Sequence, residues 1–282
     1  MRHSLSTACL FPWPWPSIFR LAAECGFDGV ELVIDHHFWL GGADRVRRWA
    51  TEYGLEIFSV HQTYLPLCPS GPNPAIIVDA ARAALKLNCH RVVIHGPFVS
   101  SWREPMARRW LRSFDQAQRI LLGSSSRLAL ENVGVYTPSD GQNVLAQTLV
   151  LCSFARRNKV GLTLDVCHLG IEENLLAAYE AMRNQLINIH FSDQRHAGKQ
   201  QNRYERALTT HHLMPGEGQL LLEPFVARLY ADAYNEPLTY EISPAALGAW
   251  CLYRTKKRLR QAITWVRSCE SADVSVTNRS IR

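Results

Sequence analysis

The chain has 282 residues, 47% hydrophobic and 20% charged, the balance of a globular protein with a sizeable core rather than of a disordered or fibrous chain. No apolar run reaches bilayer length, which sets aside a membrane-spanning role. The formal charge is +6, but residues 253–282 hold eight Lys and Arg against Glu270 and Asp273, so the preceding 252 residues are neutral. A body of that kind is a poor grip for duplex phosphates, and the basic segment reads as the solvated face of a C-terminal helix.

In chain order, "MRHSLSTACLFPWPWPSIF" is apolar with one early Arg. Pro12, Pro14 and Pro16 break any apolar helix there, and the stretch is read as mature protein, hence cytoplasmic. The eight Cys include no C-x-x-C pair and are expected to be free, mostly buried thiols.

Eight short runs rich in Val, Ile and Leu predict strands over 4–10, 29–34, 55–60, 91–95, 127–131, 161–165, 187–190 and 238–241. Helical spacing fills the gaps, as in "AIIVDAARAALKLN" and "WREPMARRWLRSFDQAQRILL". Strands that alternate with helices imply parallel strands joined by crossovers. Eight such units in one chain predict an α/β fold, a single (β/α)8 TIM barrel over 1–269. The open doubly wound sheet is the rival, but no glycine-rich phosphate turn follows the first strand. The polar stretch 192–218 is too long for a plain connector and is expected to be a lid or binding loop. The last residues, 270–282, are expected to be disordered.

In such barrels the active site lies where the strands end. Strand three delivers His61 and then Tyr64, strand four His95, strand five Glu131 and Asn132. Strand six delivers Asp165 and His168, strand seven His190 and Asp193, the next loop His212, and strand eight Glu241. Each residue has a bland reading: a lone His is usually a hydrogen-bonded core residue, and Asp165 suits a helix cap. Coincidence at six successive strand ends favours a common cause. Crowded carboxylates repel and take up protons unless a divalent cation sits among them. Mixed nitrogen and oxygen donors suit Zn, Mn, Co or Fe rather than Ca.

These motifs, from about Ser4 to Ser243, resemble the xylose-isomerase-like TIM-barrel superfamily. That group includes sugar and sugar-phosphate isomerases and epimerases, inosose dehydratases, and abasic-site nucleases of the endonuclease IV type. "AAECGFDGVELVID" is similar to the epimerase branch, in which Glu31 would end strand two. The resemblance implies one divalent metal (Mn, Zn or Co) held by Glu131, Asp165, His190 and Glu241. It also implies that Glu131 and Glu241 are catalytic, as acid and base beside a metal-steadied enediolate. His168, Arg195 and Tyr64 are then expected to touch a small sugar-like substrate.

The nuclease pattern is matched too, by His61, His95, Glu131-Asn132, Asp165 with His168, His190 with Asp193, His212 and Glu241. His61, His95, His168 and His212 would there hold further metal, or else meet substrate. One departure counts against a third metal: Thr210 stands where that family has Asp. The expected function is therefore a metal-dependent isomerase, epimerase or dehydratase of a small sugar, sugar phosphate or polyol. An abasic-site nuclease and a ligand-binding barrel without catalysis are the alternatives. A nucleic-acid partner is disfavoured, a membrane partner is not expected, and homodimerisation is left open.

Overall fold

The computed structural model describes residues 1–63, 75–135, 140–169, 174–196 and 210–269. Tyr64, Cys68, the middle of the long polar stretch and the tail 270–282 lie outside the described residues. Eight parallel strands close on themselves in chain order: β1 (Arg2–Ser6), β2 (Gly29–Val33), β3 (Glu56–His61), β4 (Arg91–His95), β5 (Arg127–Glu131), β6 (Gly161–Asp165), β7 (Leu186–Phe191) and β8 (Pro237–Tyr240). β1 pairs with β8, Ser4 opposite Thr239 and Leu5 opposite Tyr240. The fold is a (β/α)8 TIM barrel.

Seven of the strands fall within a residue or two of the apolar runs. β1 does not: it was expected over 4–10, yet it ends at Ser6 and Thr7–Leu10 is a 3-10 turn. Side chains replace the ladder there. Thr7 Oγ1 accepts from Val33 N at 2.9 Å. Cys9 Sγ donates to Tyr240 O at 3.1 Å and accepts from Ile242 N at 3.2 Å. With those neighbouring backbone groups already satisfied, nothing is left to prolong the strand.

The helices bury one stripe each. Pro105–Leu121 buries Ala107, Trp110, Phe114, Ala117 and Leu121, the three-and-four spacing of one helix face. The C-terminal helix Leu252–Ser268 buries Thr255, Leu259, Ala262, Ile263 and Val266. Several of its basic side chains are tied down. Lys256 Nζ donates to Glu24 at 2.7 Å, Arg260 to Glu24 O at 2.9 Å and Arg258 to Glu217 at 2.6 Å. Part of the basic segment therefore straps this helix to the barrel. No helix among the described residues is long and apolar enough to cross a membrane. Of the described cysteines six are buried, Cys251 is exposed, and all are free thiols.

The barrel interior is plugged at the end where the strands begin. A Cβ on Gly29 would lie 2.6 Å from the Phe58 ring and one on Gly161 would lie 2.4 Å from Ile187. These two bulky side chains fill the space the glycines leave. Arg2 covers the Phe58 ring at 4.3 Å, and Arg91 donates to Ile187 O at 2.8 Å and to Phe58 O at 3.3 Å. Above this plug the interior turns polar, with Ser4, Ser6, Glu31, Ser59, Thr163, Asn188 and Thr239 fully buried. Every hydrogen bond that links β2 to the non-neighbouring β7 must cross this interior.

Candidate metal centre

The opposite end of the barrel gathers the acids and histidines. Glu131 and Asp165 are the last residues of β5 and β6, His190 is the next-to-last of β7, and Glu241 follows β8. The ladder sets them level: His95 pairs with Glu131 and Asp165 with His190. Nδ1 of His190 lies 2.8 Å from Glu241 Oε2, 3.5 Å from Glu131 Oε2 and 3.9 Å from Asp165 Oδ2. The four residues expected as one ligand set therefore converge around one imidazole nitrogen.

Local sequence aims each of them. Asn132 clamps β5 to β6: its Nδ2 donates to Asp165 O at 3.0 Å and its Oδ1 accepts from Asp165 N at 2.7 Å. Asp165 Oδ1 caps the next turn by accepting from Cys167 N at 2.7 Å, so the capping role and the cluster role use different oxygens. Asp165 Oδ2 and His190 Nδ1 are buried without a well-aligned hydrogen bond, and their neighbours are other cluster members, His168 Nε2 at 3.4 Å and Glu241 Oε2 at 2.8 Å. Two such buried atoms facing one carboxylate-lined point are what a divalent cation would satisfy. The donor set, one imidazole and three carboxylates, suits Mn, Co or Zn.

The other histidines ring Glu131. His61 Nε2 and His95 Nε2 each lie 3.2 Å from Glu131 Oε2, and His168 Nδ1 lies 2.9 Å from Glu131 Oε1. His61 Nδ1 is held to Gln62 O at 2.5 Å, which turns its Nε2 to Glu131. His212, left-handed at φ 52°, is held to Glu241 O at 3.0 Å. It groups with Asp165 and His168, their ligand atoms within 4.8 Å of one another. Arg195 stands exposed, its backbone N bonded to Thr210 O at 2.9 Å.

Electrostatics follow from this crowding. Burial works against ionising Glu131, yet His95 and His190 outweigh it and hold its carboxyl well below the usual range. Glu241 is lowered likewise, burial being overcome by His190 and His212. Burial dominates at Asp165 and raises it, against the pull of His168 and His212. Burial opposes the charge of His168, but Asp165 and Glu131 raise it to about 9. Protons are thus favoured on His168 and His190, and a cation would have to displace them from the nitrogens it takes.

One expectation needs correction. Glu31 does not end its strand: it is the middle residue of β2 and fully buried, because strand alternation turns it to the barrel interior. Trp15 and Phe38 are core residues, Trp15 stacked on His37 at 6.0 Å, whereas Trp39 is exposed. The histidines after β2 have a local use. Asp35 caps its helix through His37 N at 2.7 Å and holds the His37 ring at 3.0 Å. Two residues named in the sequence take other roles here: Asp193 accepts from Gly216 N and Gly218 N at 2.9 Å each, and Glu31 is an interior acceptor. A charge in the apolar run "GVELV" was the available signal for Glu31.

A parallel (β/α)8 barrel whose strand ends converge acids and imidazoles defines a class of barrels built around a mouth-end polar centre. The chain belongs to the xylose isomerase-like TIM barrel family, whose model matches residues 19–269. Uncharacterized proteins of Mycobacterium bovis and Mycobacterium leprae are 33% and 32% identical to it over 137 residues. Those matches cover 47% of this chain and 47% of each relative, so it matches about half the length of these curated relatives. Among solved structures, the 3-keto-D-glucoside 4-epimerase of E. coli superposes with TM-score 0.67 at 18% identity, covering 95% of this chain and 100% of that one. A D-tagatose 3-epimerase-like protein gives 0.69 at 18% identity, covering 95% and 99%. An AP endonuclease of family 2 from Brucella melitensis gives 0.67 at 17% identity, covering 94% and 98%. At these identities the likeness is one of fold.

Proposed function

We propose that the chain is a divalent-metal-dependent isomerase or epimerase of a small sugar, sugar phosphate or polyol. One observation carries this reading: Glu131, Asp165 and Glu241 close on His190 Nδ1 in a buried cluster where Nδ1 and Asp165 Oδ2 lack a well-aligned hydrogen bond. Glu131, Asp165, His190 and Glu241 would hold the cation, and it would supply Lewis-acid polarisation of a substrate carbonyl. Glu131 and Glu241 project from β5 and from the end of β8, so they approach a bound substrate from different sides. Both are kept ionised by neighbouring histidines. One takes a proton from the carbon beside the carbonyl, and the other returns a proton to that carbon or its neighbour. His168 presents an imidazole at the same mouth for a substrate hydroxyl. Arg195 stands on the adjacent loop, where an anionic group on the substrate could reach it. The epimerase neighbours are compatible with this chemistry without fixing it.

The test is proton exchange. The metal-loaded protein, incubated in D2O with a panel of ketoses, ketose phosphates and inososes, is expected to place deuterium at a carbon beside the carbonyl. Glu131→Gln and Glu241→Gln are expected to slow this by about 10²- to 10⁴-fold. Failure across the panel, with metal bound, would remove the reading.

A second reading has its own observation. His61 and His95 bracket Glu131 at 3.2 Å each, which suits a second cation and hence an abasic-site nuclease with paired metals. Thr210 in place of an acid and the neutral charge of residues 1–252 speak against it. Two or three tightly held Zn per chain and cleavage of an abasic duplex would favour it. Bound metal with turnover of neither substrate class would leave a ligand-binding barrel.

A further inference from the structure

Glu31 lies at 0% exposure on the interior face of β2, beneath the mouth cluster. Its Oε2 collects three donors from two other strands. Ser59 Oγ donates at 2.7 Å, Asn188 Nδ2 at 3.2 Å, and His190 Nε2 lies at 3.2 Å. Asn188 is held in turn by Thr239 Oγ1, which donates to its Oδ1 at 2.9 Å. That bond fixes which end of the amide faces Glu31. One buried acceptor on β2 thus ties β3 and β7 together, with β8 joined through Asn188.

A carboxylate in a dry interior is unfavourable unless its partners offset the lost hydration, and an apolar side chain of similar volume would fill the space without that loss. What the carboxylate supplies in return is directional. It accepts at Nε2 of His190, on the far side of the ring from the cluster. Nδ1 then faces Glu131, Asp165 and Glu241, where a cation would displace its proton and take its lone pair. A histidine that ligates through one nitrogen commonly donates the other N–H to a carboxylate, which fixes the tautomer and strengthens the ligand.

We infer that Glu31 is the positioning residue of His190: it sets the ring's orientation and tautomer, and so the affinity of Nδ1 for a divalent cation. Ser59 and Asn188 keep Glu31 in place for this. The inference rests on the metal-site reading above. Glu31 is not itself a member of the ligand set. Its Oε2 meets Nε2, the ring nitrogen turned away from the cluster, and is filled by donors, while its Oε1 is buried without a hydrogen-bond partner.

The test measures metal affinity rather than turnover. Mn and Zn are titrated against a competing chelator into the full chain, as wild type, Glu31→Gln and Glu31→Asp. Gln keeps the reach and removes the charge; Asp keeps the charge and withdraws the oxygen from His190. Both variants are expected to bind metal about 10- to 100-fold more weakly, with unchanged circular dichroism and cooperative unfolding in chelator. The ¹⁵N shifts of the His190 ring in the Zn form add a signature that a merely structural role would not move. Wild type is expected to show Nδ1 ligated and Nε2 protonated with the shift of an N–H bonded to a carboxylate, and both variants an Nε2 shift moved away from it. Wild-type affinity and wild-type ¹⁵N shifts in either folded variant would overturn the role of Glu31 and leave the metal site standing. A wild-type chain that binds no metal would overturn both.

Discussion

Asp165 does two things with its two oxygens, and substitution separates them. Asn in its place keeps the Oδ1 cap on Cys167 N and the backbone clamp from Asn132, but removes a charge that burial disfavours. The Asp165→Asn chain in chelator is therefore expected to melt no lower than wild type. The rise in Tm that metal gives wild type, which follows ligand linkage, is expected to vanish. A variant that melts lower in chelator and still gains with metal would contradict this. His3 provides a pH prediction away from the cluster. Burial lowers it to about 4, and its Nδ1 meets the Tyr240 hydroxyl at 3.0 Å. The unfolded chain takes up that proton near pH 6.5 and the folded chain does not, so stability rises with pH between about 4 and 6.5 and is flat above. The full effect is on the order of 3 kcal/mol. Urea melts across that range should show a shallower slope in His3→Gln, and an unchanged slope would remove the assignment.

At the scale of elements, the strands carrying the site were legible because buried parallel strands read as continuous apolar runs. "VVIH", "LALE" and "LTLD" each end at the residue that ends β4, β5 and β6. β1 was less legible, since its end is decided by Thr7 and Cys9 bonding to β2 and to the segment around β8. Those partners are remote in sequence. The loop after β7 is anchored by Asp193, which also accepts from Gln194 N at 2.7 Å and Leu220 N at 3.2 Å. A Cβ on Gly218 would stand 2.2 Å from Asp193 Oδ1 and 2.4 Å from Gln194 O. Gly218→Ala is therefore expected to cost roughly 1–3 kcal/mol. Because Ser243 N bonds His212 O at 2.8 Å and Asp193 pairs with Leu213, it should also weaken metal protection against unfolding. Denaturant melts with and without metal check both parts. A variant as stable as wild type would show that Asp193 does not set the loop.

For the whole molecule, a barrel lets a sequence announce its mouth without announcing the contacts within it. That Glu131, Asp165, His190 and Glu241 share one end follows from strand ends alone. That they close on Nδ1 of His190 rather than Nε2 depends on Glu31, 159 residues away in sequence and on the opposite side of the interior. No local pattern encodes such a pairing. The same distance explains why Glu31 read as a strand end rather than as an interior acceptor. The site is thus an assembly of seven strands, and its central claim is that they enclose a cation. Elemental analysis of the chain purified without chelator, beside Asp165→Asn, tests this most directly. About one Mn, Co or Zn per wild-type chain, absent from the variant, is the result predicted. No metal in either protein, even after reloading, would contradict it.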